Sequence, residues 1–156
     1  MTTNPQAVSQ FVVLRHQVGS CPTRDGVTVD SVHYDWMFLV DGALRTWSTD
    51  PIDSLMQDTS ISATELPAHR AAYLEIQGDI GDDRGVVSQV ARGTYEIAQA
   101  SEKMFRCRVA WKEPADQGGH DKQQSLGFYR LGFYRSGRID LPDEWELCLG
   151  RNDTNR

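Results

Sequence analysis

The dipeptide Asp41-Gly42 is the strongest single constraint on how this chain can fold. Both central residues of a two-residue type I′ hairpin need positive φ, and Asp-Gly meets that need at low cost. Its flanks read as strands. Tyr34, Trp36, Phe38 and Val40 alternate along one side of the first, and residues 44–49 of the second are rich in β-formers. The pattern predicts a hairpin over residues 33–49 with the aromatic side in the core. His33 and Asp35 fall on the other side, two residues apart and therefore about 7 Å apart at Cα. Such a polar face is by default solvated in an antiparallel sheet.

A second histidine upstream gives that face another reading. Residues 11–16, FVVLRH, form the first predicted strand, with His16 on the same side as Val12 and Leu14. Turn formers crowd residues 19–26, so strands 1 and 2 read as antiparallel neighbours. His16 then lies across from His33 or Asp35. Two imidazoles and a carboxylate suit a first-row divalent ion such as manganese or zinc, with positions left for water or a phosphate oxygen. His69, followed by Arg70, suits contact with a phosphate.

The remaining pattern is that of a β-rich chain. Residues 50–67 read as a long polar loop with one helical turn near 52–57, and residues 74–76 as a short strand. The acidic, glycine-rich run at 78–85 lacks the register and terminal Glu of a calcium-binding loop, so it reads as a solvated turn. Residues 86–90, 93–97, 105–111 and 145–149 read as further strands. Residues 112–125 read as a polar loop carrying an exposed His120. LGFYR occurs twice in tandem, at 126–130 and 131–135. A five-residue period would turn the second copy to the opposite face, so a bend is expected at Gly132. Aromatic residues beside arginines can stack on bases, but core strand material is the plainer reading. Many short strands with turns between them predict a mainly β fold, a small antiparallel β-barrel with minor helical decoration. The expected organisation is a flexible lead-in over 1–10, one domain over 11–150 and a polar tail over 151–156.

Composition narrows the function. With 156 residues, 39% hydrophobic and 24% charged, the chain can bury one real core. No apolar run approaches a membrane span, and the first residues lack a secretory pattern, so a cytoplasmic protein with no membrane partner is expected. Three widely spaced cysteines suggest neither a disulfide framework nor a Cys-based zinc site. A net charge of −6 argues against broad clamping of duplex DNA but leaves room for recognition of a strand end.

Several blocks, in order, resemble the 3′-phosphoesterase module of bacterial DNA ligase D and its stand-alone relatives. FVVLRH at 11–16 is similar to that family's FVVQKH block. His33-Tyr34-Asp35 with the following hairpin and Trp47 is similar to HYDFRLELDGVLKSWA. His69 with Tyr73 is similar to EDHPLDYADFEG, residues 92–96 to DRGTWE, and residues 144–147 to the last strand. The resemblance implies a compact β-barrel that trims phosphate- or ribonucleotide-bearing 3′ ends of DNA to a 3′-hydroxyl. It implies that His16, His33 and Asp35 hold a manganese-type ion and that His69 and Tyr73 contact the scissile phosphate. It also implies a primer-template 3′ end as substrate, with a ligase or polymerase of end joining as a partner.

Two positions depart from the family. Its glutamine two residues before the first histidine is Leu14 here, and its phosphate-binding arginine after the HYD aspartate is Met37. A methionine cannot imitate a bidentate donor. Arg15 alternates away from His16, and Arg45 pairs opposite core-facing Phe38, which leaves Arg70 as the expected phosphate-binding substitute. A rival expectation is a non-catalytic relative that binds a DNA end or a partner protein.

Overall fold

A computed structural model describes residues 9–22, 28–55, 58–79, 85–113, 123–131 and 144–151. Nine strands occur among them: β1 (Ser9–Pro22), β2 (Thr28–Val40), β3 (Ala43–Thr49), β4 (Thr59–Arg70), β5 (Gly78–Asp79), β6 (Val86–Ala100), β7 (Met104–Glu113), β8 (Gln123–Arg130) and β9 (Glu144–Arg151). Their order is β1-β2-β3-β4-β9-β8-β7-β6, and β1 also pairs with β6, which closes an antiparallel ring of eight. This is the predicted barrel. β5 is a two-residue addition on β6, and Ala71–Leu74 forms one 3-10 turn. No helix among the described residues is long and apolar enough to cross a membrane.

The central hairpin forms as its sequence predicts. Asp41 (φ 50°) and Gly42 (φ 83°) make the turn, Val40 pairs with Ala43, and Trp36 faces Trp47 across the strands. The barrel interior is largely aromatic. Trp47 stacks on Phe128 with centroids 4.2 Å apart, and Phe38 packs against Phe11, Tyr95, Phe105 and Phe128. Arg45 lies opposite Phe38. Its guanidinium sits 4.7 Å from the Trp47 ring centre and pairs with Glu65 at 2.8 Å.

A second apolar cluster lies on the outside of the barrel. Val12 and Leu14 of β1, Met37 of β2, Leu44 of β3 and Val87 of β6 are all buried, with Tyr73, Leu74 and Ile76 packed against them. The uninterrupted FVVL of β1 follows from this arrangement. Phe11 and Val13 enter the barrel core while Val12 and Leu14 lie beneath the 71–76 segment, and a strand covered on both faces needs no polar alternation.

Four element expectations need correction. β1 runs to Pro22, into the expected loop. Residues 59–67 belong to β4, not to a loop. Residues 74–76 are no strand: the 3-10 turn and the chain after it cover the outer cluster. Residues 86–97 lie in one continuous strand, β6, kept in register by bulges opposite β1 and β7. Gly93 sits at one of these bulges, where a Cβ would fall 2.1 Å from the Ala110 carbonyl oxygen. The lead-in before Ser9, His120, the predicted bend at Gly132 and the tail beyond Arg151 lie outside the described residues.

Candidate metal centre

The outer face of β1 and β2 brings His16, His33 and Asp35 together. His16 and His33 are direct cross-strand partners, and Asp35 is opposite Leu14, so the bulge-free register of this part of the hairpin puts all three side chains in adjacent rows of one face. The rings of His16 and His33 meet edge-on at 4.7 Å. His16 Nδ1 lies 3.5 Å from Asp35 Oδ2, and His33 Nε2 lies 3.2 Å from Asp35 Oδ1. One donor atom from each residue falls within 4.8 Å of the others.

These residues fit a divalent ion. Two ligands with bonds of about 2.1 Å sit roughly 3.0–3.4 Å apart around a tetrahedral or octahedral centre, close to the 3.5 and 3.2 Å between each histidine and its nearer Asp35 oxygen. His33 Nε2, at 3.2 Å, is the polar group that Asp35 Oδ1 meets, and this buried oxygen has no further hydrogen-bond partner among the described residues. A buried carboxylate is costly unless a protonated imidazole or a metal cation balances its charge. The Asp35 side chain is only 5% exposed, whereas His16 and His33 keep 18% and 24%, which leaves one open side for a ligand.

Asp35 also governs the charge of its neighbour. The polar contact with Asp35 pushes the His33 ring above its ordinary value, burial opposes that shift, and the charge of Asp35 adds to it. A raised pKa in the folded state stabilises the folded protein below the unfolded value of about 6.5. This contribution fades as pH rises through the folded value. Thermal melts of chelator-treated protein should therefore show stability falling across that window, and His33→Gln should flatten the dependence. An unchanged slope in the variant would mean that His33 does not carry the effect.

His69 and Tyr73 form a separate pair on the same outer side. His69, near the end of β4, pairs in register with Leu44, and its ring meets that of Tyr73 edge-on at 5.4 Å. Tyr73 in turn packs on the cluster containing Met37, the next outward residue after Asp35 on β2. His69 Nδ1 is buried with no hydrogen-bond partner among the described residues. His69 is not within the three-residue group.

Arg70 does not take the loop position expected of it. Arg70 is the last residue of β4 and not part of a loop. It pairs with Ala43 one position beyond His69, so alternation turns it to the opposite side. Arg15 is exposed and bonds Gln17, and Arg45 is engaged at the barrel interior. The immediate neighbours of the centre in register are Leu14, Ser48 and Val87, and Met37 is buried at 1% exposure. No family model matches the chain, and no curated protein matches it.

Proposed function

We propose that this barrel is a metal-dependent phosphoesterase that trims 3′ ends of DNA, removing a 3′-phosphate or 3′-ribonucleotide to leave a hydroxyl. The observation that carries the reading is the convergence of His16 Nδ1, His33 Nε2 and the Asp35 carboxylate on one open face. The resemblance to the ligase D phosphoesterase module supplies the substrate class. Bound there, a manganese ion (the donor set also suits zinc) would polarise a phosphoryl oxygen and activate water. The chain's own residues do the rest. Asp35 orients both imidazoles and balances the ion's charge. The covered Leu14, Met37 and Val87 restrict water to one side. His69 is the group to protonate the leaving oxygen, with Tyr73 holding its ring edge-on. A cytoplasmic role beside a ligase or polymerase of end joining follows from that substrate.

A second reading has its own observation. Met37 and Leu14 are built into an apolar cluster, and no guanidinium stands in the rows beside the centre among the described residues. That favours a barrel which binds a DNA end or a partner protein without turnover. An end-trimming assay on 3′-phosphate and 3′-ribonucleotide primers, with and without manganese, separates the two. Manganese-dependent release of a 3′-hydroxyl product is the expected result; binding of the primers with no product would favour the second reading. Met37→Arg should raise turnover by returning a bidentate donor beside Asp35, and lower the melting temperature because its stem must share the cluster. Unaltered turnover would remove the missing arginine as the cause of weak activity.

A further inference from the structure

We propose that the outer face of β6 and β7 is a track for single-stranded DNA, on which Arg92, Lys112, Arg108 and Arg106 hold the backbone of the strand whose 3′ end lies at the His16–His33–Asp35 centre. The position of the 3′ end rests on the phosphoesterase reading; the track itself does not.

β7 alternates sharply. Phe105, Cys107 and Val109 are buried in the barrel, while Arg106, Arg108 and Lys112 are exposed outside. Arg92, on β6, is also exposed, and it lines a shallow hollow with Lys112, Gln10, Glu75 and Thr94. A second hollow beside it is bounded by Thr94, Glu96, Arg108 and Gln123. None of the four cations belongs to an ion pair among the described residues. Glu75 and Glu96 are the carboxylates lining these hollows; Glu96 is the strand partner of Arg108 and Glu113 that of Arg92, so four cations stand against three carboxylates on a protein whose net charge is −6. A cationic stripe on an acidic protein is a local electrostatic footprint for a polyanion.

The spacing suits a strand of nucleic acid. Arg106 and Arg108 are about 7 Å apart at Cα, comparable with neighbouring phosphates of an extended strand. The stripe begins at the edge of the 71–76 segment, which covers Val12 and Leu14 between it and the centre. β6 pairs with β1, with Val87 beside His16 and Arg92 beside Val12. Arg92 thus lies roughly 16 Å along the strand from the centre, a span of a few nucleotides.

The far end carries an aromatic surface. A Cβ on Gly127 would lie 2.6 Å from the Tyr129 ring, so the ring lies across Gly127, on the outer face where Arg106 is Gly127's strand partner. Phe128 of the same LGFYR copy is buried in the core. The first copy thus gives its phenylalanine to the core and its tyrosine to the surface, where a flat ring is a stacking platform for any base.

The test is binding of fluorescein-labelled oligothymidylate by anisotropy across a salt series, with manganese uptake measured in parallel. The Arg106→Gln/Arg108→Gln double variant should bind at least tenfold more weakly. Its slope of log affinity against log salt should be shallower by about 1.4, at about 0.7 per phosphate contact on a single strand. Tyr129→Ala should weaken binding about tenfold, and neither change should alter manganese uptake. Wild-type affinity and slope in the double variant would overturn the track. So would displacement of the oligonucleotide by polyglutamate as readily as by unlabelled oligothymidylate, combined with no effect of Tyr129→Ala, because the face would then be a site for an acidic protein. Cation-dependent strand binding without any turnover would sustain the track and sink the phosphoesterase reading.

Discussion

Trp36→Ala is expected to lower stability by about 3–5 kcal/mol, a large part of what a domain of this size possesses. Trp36 is fully buried. Its indole meets Phe128 edge-on, and its Nε1 donates to Thr49 Oγ1 at 2.9 Å. Truncation opens a cavity at the middle of the central hairpin, where the rigid rings of Trp47 and Phe128 cannot collapse to fill it. It also removes the Thr49 contact, although Thr49 still donates to the Asp50 carbonyl. Trp36→Phe keeps most of the volume and loses the hydrogen bond, so its cost should stay near the value of that bond and of a partial cavity, roughly 1–2 kcal/mol. Chemical denaturation of both variants gives the comparison. A cost below about 1 kcal/mol for the alanine variant would mean that the two faces of β2 are reversed.

Asp35→Asn should abolish stabilisation by manganese while leaving the metal-free fold close to native. Asparagine keeps the shape of the aspartate but not its charge, and a metal ligand set of two imidazoles and a neutral amide binds divalent ions far more weakly. For the wild type, an ion that binds only the folded state adds about 2.7 kcal/mol at a hundredfold excess over its dissociation constant. Several degrees of melting shift should therefore separate wild type from variant in manganese and shrink in chelator. Equal shifts in both proteins would place the ion elsewhere.

The central hairpin, the barrel class and the shared face of His33 and Asp35 were legible because they follow from local rules: two positive φ values at a turn and a period of two along a strand. His16 was legible only as a partner of either His33 or Asp35; the register makes it His33. β4 was hidden by its composition, TSISATELPAHR, which carries Ser, Thr and a proline. The proline is tolerated because Leu66 and His69 pair with Thr46 and Leu44. Pro67 and Ala68 therefore fall in the bulge between those pairs, where a missing N–H costs little. β6 read as two strands, 86–90 and 93–97, whereas Ala91 and Arg92 carry the strand on and Gly93 permits a close approach to Ala110. The outer cluster was invisible for a different reason. Leu14, Met37 and Leu44 are covered by Tyr73, Leu74 and Ile76, and nothing local says that this segment folds back over the barrel. The same gap favoured Arg70, whose direction depends on β4 continuing through it.

Titration of the metal-free protein with manganese, followed by calorimetry and by the loss of the free-ion paramagnetic signal, tests the metal centre most directly. One ion per wild-type chain is expected, with loss of that site in His16→Ala, His33→Ala and Asp35→Asn and its retention in His69→Ala. Binding that survives all three ligand substitutions, or no binding by the wild type, would contradict it.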